Sequence, residues 1–123
     1  MAFIADNIFD NGLSYATTNG AQVDITNSEA SSFTDATSTS TLGNASITMG
    51  SPENGATDGR RVQIPAITSG SVTADGTAAF YALTDGSAEL LATGPLSSTQ
   101  SVTSGNTFTL DAINITLRDA TAV

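Results

Sequence analysis

Serine, threonine and aspartate are the side chains of this 123-residue chain that could do chemistry, and it has no His, Cys, Lys or Trp. A hydroxyl nucleophile needs an adjacent base, and the usual imidazole and amine bases do not occur here. The hydroxyls are therefore expected on strand surfaces and loops. Paired carboxylates for glycoside hydrolysis need a sugar cleft, usually lined with aromatic rings. Asp75 and Asp85 each precede a glycine, which marks them as turn formers instead. Asp58, Asp75, Asp85 and Asp111 supply the hard oxygen donors that calcium prefers, but the spacing of an EF-hand loop does not occur. The expectation is a protein that is not an enzyme and that carries no cofactor and no metal.

Two other groups of residues are candidates for contact with a partner. Arg60-Arg61 is the one basic spot in the chain. It either neutralises carboxylates of its own domain or offers a bidentate fork to an acidic patch elsewhere. Phe3, Ile4, Ile8 and Phe9 form an apolar set near the N-terminus, suited either to capping the core or to docking on a neighbouring subunit.

The balance of charge narrows the partners. Twelve carboxylates against three arginines give a net charge of −9, although only 12% of residues are charged. Three cations make no phosphate-binding footprint, so nucleic acid is not an expected partner. An anionic membrane surface is excluded on the same ground, and no apolar run approaches the ~20 residues that span a bilayer. The sequence MAFIADNIFDNG lacks the cationic start and apolar centre of a secretory signal, which predicts synthesis in the cytoplasm without export.

The elements that must position these residues read as mostly β. Residues 1–20 are expected to form an N-terminal arm or short helix, because Phe3, Ile4, Ile8, Phe9 and Leu13 recur at near-helical spacing. Residues 21–123 are expected to form a single β domain with its regular core over about 60–118. Gln22–Thr26 alternates as a strand. Residues 27–46 are rich in Ser and Thr and read as an extended loop with a helical turn near Phe33–Thr37; a strand is expected over Ser46–Met49. Asp75-Gly76 and Asp85-Gly86 predict successive hairpins joining strands at 70–74, 77–84 and 88–93. Gly94-Pro95 reads as a strand break. The phase change at Asp111-Ala112 reads as a bulge within a last strand, 107–117. The fold class is all-β, a small sandwich or barrel-like domain with a short N-terminal helix and a loop-rich first half. Its large apolar side chains are few, so self-association or a partner is expected to supply part of the stability.

The stretches GSVTADGTAAFYALTDG and TSGNTFTLDAINITL, with the layout of nearly the whole chain around them, resemble small virion proteins of tailed bacteriophages. These are capsid decoration (cement) or minor structural proteins. The resembling motifs are turn-and-strand patterns and include no active-site signature. The resemblance implies a β-rich protein on the capsid exterior, bound to the major capsid protein of an HK97-type shell. It also implies a homo-oligomer, favouring a trimer at local threefold positions. A tail, neck or head-fibre component is the alternative within the virion. A surface carbohydrate-binding module is the alternative outside that class.

Overall fold

Strand β1 (Gln22–Thr26) lies where its alternation places it, but it is buried on both faces rather than on one. It sits near the middle of an antiparallel six-stranded sheet that curls into a half-barrel. The computed structural model describes residues 6–55 and 59–117. Their elements begin with helix α1 (Asp6–Asn19), β1, a π-helical turn (Asp35–Thr39), β2 (Thr41–Ser46) and β3 (Glu53–Asn54). They continue with β4 (Arg60–Ile64), β5 (Ile67–Val72), β6 (Gly76–Thr84), β7 (Leu90–Val102), β8 (Thr107–Leu110) and β9 (Ile113–Leu117). The large sheet has the order β7-β6-β1-β2-β5-β8, and a second sheet has the order β3-β4-β9. The all-β class with a short N-terminal helix is the observed architecture.

The two faces of β1 define the layers. Val23 and Ile25 point to the inner face and are fully buried with Leu83, Val62 and Ile64. Each such side chain contributes roughly 1.5–3 kcal/mol by leaving water. The small sheet and Leu13 of α1 close over this face. Asp24 and Thr26 alternate onto the outer face. There the segment between β1 and β2 folds back over the sheet and packs Ala30 and Ala36 against Ala82. Asp35 fixes that segment: its carboxylate accepts from Ser40 Oγ at 2.7 Å and from the Ser31 N–H at 3.0 Å. Those bonds, led by the one from Ser40, hold its carboxyl below the usual carboxylate range.

Several connections differ from the sequence expectation. Strands β1 and β2 come from the loop-rich first half, so the regular sheet extends well beyond 60–118. Strand β2 covers part of the Ser/Thr-rich stretch and ends at Ser46, where a strand was expected to begin. The helical turn near Phe33–Thr37 is present as the π-helical turn. Asp75-Gly76 does not close a hairpin between paired strands, because β5 neighbours β2 and β8 while β6 neighbours β1 and β7. Asp75 serves a different turn, its carboxylate accepting from the Ser104 N–H at 2.8 Å. Asp85-Gly86 does join paired strands, through a five-residue connection in which Asp85 Oδ1 accepts from the N–H groups of Ser87, Ala88 and Glu89. Those bonds lower the Asp85 pKa, and Gly86 supplies the left-handed φ of 79°.

Gly94-Pro95 does not end β7. That strand is at the sheet edge, where a missing N–H is tolerated. Tyr81 stands opposite Gly94 and lays its ring over it: a Cβ at Gly94 would lie 2.8 Å from Tyr81 Cε1. The register then slips between Phe80↔Pro95 and Ala78↔Gln100, so residues 96–99 bow away from the ladder. Residues 107–117 are two strands rather than one bulged strand, and Asp111-Ala112 carries the chain from the large sheet to the small one.

Candidate functional site

The two arginines of the candidate contact set are neighbours on β4 and both make ion pairs within the chain. Arg60 grips Asp10 of α1 with two bonds, Nε to Oδ1 at 2.8 Å and Nη2 to Oδ2 at 3.2 Å. Its Nη1 also donates to Asn54 Oδ1 at 2.7 Å. Arg61 pairs with Glu53 of β3 at 3.0 Å, and Glu53 is half exposed. Arg60 therefore clamps the helix to the small sheet, whereas Arg61 stays near the surface. Ile8 and Phe9 fall in α1, but their side chains lie outside the described residues, as do Phe3 and Ile4 altogether. The structure thus brings Arg60 and α1 together.

The carboxylates considered for chemistry or calcium are spread over separate turns. Asp75 and Asp85 are turned inward to backbone N–H groups as described, Asp111 lies at the β8–β9 crossover, and Asp58 is outside the described residues. Among the described residues no group of three or more acidic side chains converges as metal ligands would. Asp24 is the carboxylate that sequence reasoning missed. It is fully buried, and accepts from Gln22 Nε2 and Thr41 Oγ1, both at 2.7 Å. Burial raises its pKa, while the two donated bonds pull the other way. Its oxygens are occupied by its neighbours, which makes it part of the scaffold.

Two surface cavities lie elsewhere, on the side of the molecule where the two sheets meet. Strand β9 is the last strand of the small sheet, and among the described residues no strand pairs with its outer edge. Its alternate residues Ile113, Ile115 and Leu117 turn toward β7. The two cavities lie end to end along them. The first, about 320 Å³, is bounded by Ile113, Leu110, Tyr81 and Leu96 and by the polar residues Ser97, Ser98, Gln100 and Thr109. The second, about 260 Å³, is bounded by Ile115, Leu117, Leu83, Leu91 and, from α1, Tyr15. Leu96 and Ile113 line the first cavity while Leu91 and Leu117 line the second, so β7 and β9 run in opposite directions past a trough that is half polar at the Ile113 end and apolar at the Leu117 end. Of its large apolar side chains, Leu117 and Tyr15 are exposed, at 39% and 53%.

An acidic group stands at each end of this trough. Asp111 lines the first cavity. At the other end Glu89 accepts a 2.6 Å hydrogen bond from Tyr15 Oη, and that bond, with the charge of Glu89, raises the tyrosine pKa. Tyr81 is half-buried, and burial raises its pKa as well. Its ring packs on Gly94. The larger hollow between β2 and β5 is lined by Asn44, Ser46, Thr48, Ser69 and Ser71 and by no charged side chain. The phase of Ile113, Ile115 and Leu117 is visible in the sequence, but nothing there distinguishes an open edge from closed core.

No protein-family model, curated protein or solved structure matches this chain.

Proposed function

We propose that this chain is a structural virion protein that binds the exterior of a tailed-phage capsid and stabilises it by bridging neighbouring capsomers. The observation that supports this reading is the trough along the outer edge of β9, which pairs with no strand among the described residues. The TSGNTFTLDAINITL stretch that carries much of the resemblance forms β8 and β9 and so one wall of that trough. The acid–base inventory points the same way: a chain with no His, Cys or Lys is better equipped to adhere than to catalyse.

In this reading the protein adds binding free energy only to the assembled shell, so the shell gains stability by mass action. Many copies on a symmetric lattice turn modest single contacts into a durable coat. Trimers at local threefold positions suit that geometry. The apolar N-terminal residues Phe3, Ile4, Ile8 and Phe9 supply subunit or capsid contacts, and Arg61 supplies an exchangeable cation beside Glu53.

Co-sedimentation with heads prepared without this chain tests the proposal. Saturable pelleting with expanded heads, and less with unexpanded ones, is the expected result. Pelleting only with tails or neck-bearing fragments moves the protein to the tail, neck or head fibre. Pelleting with neither overturns the virion assignment.

A further inference from the structure

We infer that the trough accepts one extended segment of a different protein, apolar at alternate positions and basic at both ends, which adds as a fourth strand to the free edge of β9. The inference deepens the proposed capsid-binding role and rests on it for the identity of the partner alone.

Three features of the trough select this occupant. First, the outer edge of β9 carries backbone N–H and C=O groups with no strand partner among the described residues, and such an edge is a template for another strand. Second, side chains of an added strand alternate with the same period of two as those of β9. Residues on one face of the incoming segment would enter the same space as Ile113, Ile115 and Leu117, where the two cavities of about 320 and 260 Å³ lie in succession. The five residues of β9 set the length of the ladder at ~16 Å. Third, the ends are acidic, with Asp111 at one and Glu89 at the other.

The charge also selects between a foreign segment and a second copy. This chain has twelve carboxylates against three arginines, and Arg60 and Arg61 are paired in cis. A second copy docked here would bring a net charge of −9 to two acidic ends. A segment with Lys or Arg flanking an apolar alternation meets complementary charge at both ends. Edge pairing provides the register, Ile113, Ile115 and Leu117 with the apolar second cavity provide selectivity for apolar side chains, and the flanking charges provide direction and rate.

The probe is the blocked heptapeptide Arg-Val-Thr-Val-Thr-Val-Arg, titrated into the ¹⁵N-labelled full-length chain. Amide shifts and new exchange protection should concentrate on residues 113–117, weaken with added salt, and fail with the central Val replaced by Pro or both Arg by Glu. Leu117→Glu, at an exposed position, should lower the affinity at least tenfold while leaving the amide spectrum of β1 and β6 unchanged. Shifts spread over other surfaces, or none at millimolar peptide, overturn the inference. Concentration-dependent protection of 113–117 without peptide makes a second copy the occupant and also overturns it. If 113–117 are already protected at low concentration and become exposed only when residues 1–5 or 118–123 are removed, the occupant is the chain's own terminus, and the inference again fails. Head binding separates the two levels. Wild-type chain that pellets with heads equally well as Leu117→Glu leaves the capsid role standing and removes the trough. Peptide binding without head binding does the reverse.

Discussion

Replacing Gly70 by Ala should reveal the cross-strand packing that shapes the inner face of the half-barrel. Gly70 of β5 is opposite Phe108 of β8, and Phe108 is 2% exposed. A Cβ at position 70 would lie 2.3 Å from both Cε1 and Cζ of that ring and 2.8 Å from Cδ1. Carbon atoms rest ~3.5 Å apart or more, so the ring must retreat by about 1.2 Å from a packed site. Overpacking of that kind costs about 1–3 kcal/mol. Gly70 is not one of the glycines with positive φ, so Ala meets no backbone strain, and the less flexible unfolded chain returns about 0.4–1 kcal/mol. The net expectation is a loss of about 1–2 kcal/mol by urea denaturation followed by circular dichroism. In a Phe108→Ala background the ring is gone, so Gly70→Ala should be neutral or stabilising by about 0.5 kcal/mol. Phe108→Ala itself costs about 3–5 kcal/mol; Phe108→Leu provides a milder background should that variant not fold. The coupling is then about 2 kcal/mol, well outside the ~0.5 kcal/mol within which independent sites add. Equal costs of Gly70→Ala in all backgrounds would refute the contact.

Three further perturbations address the polar scaffold. Asp24→Asn should be favoured over wild type increasingly as pH rises. The raised pKa means that the Asp24 contribution is fully present below the usual carboxylate range and is lost as pH climbs through the folded value. Asp35 and Asp85 act oppositely, with lowered pKa values whose stabilisation is present above that range and lost as pH falls. Denaturation midpoints of Asp24→Asn and wild type at neutral pH and at about pH 4 should therefore diverge most at neutral pH, and a gap that widens in acid contradicts the assignment. Thr26→Val removes a buried hydroxyl that has no hydrogen-bond partner and should stabilise the fold by about 1 kcal/mol, read from the urea midpoint. Arg60→Ala should cost about 1 kcal/mol through the two-bond contact to Asp10, and Asp10→Asn in that background should add little.

The sequence was most legible where local chemistry and tertiary position agree. Gln22–Thr26 alternates and is a strand, and the alternation of Arg61–Ile64 falls within β4. The helix survives Asn11-Gly12 because Leu13 is buried against the core. Strand β2 was not legible because Thr-Leu-Gly-Asn-Ala-Ser has one large apolar side chain, and its place in the sheet depends on close backbone approach. A Cβ on Gly43 would come within 2.4 Å of Ser71 O, so the glycine that weakens the local signal is what lets β2 and β5 pair. Gly94-Pro95 misleads for a related reason: both are breakers in isolation, yet an edge strand tolerates the proline and Tyr81 needs the glycine. The Asp-Gly signals mark turns correctly but say nothing about which strands become neighbours. As for the site, the apolar phase of β9 is readable, whereas the trough arises only when β6, β7, β9 and α1 meet.

The claim that the protein belongs to the capsid exterior is tested most directly by immunogold labelling of purified virions with antibody to this chain. Gold in high copy over the head is the predicted result. Gold confined to tail or neck would contradict the capsid role while keeping a virion one, and particles without gold would contradict both.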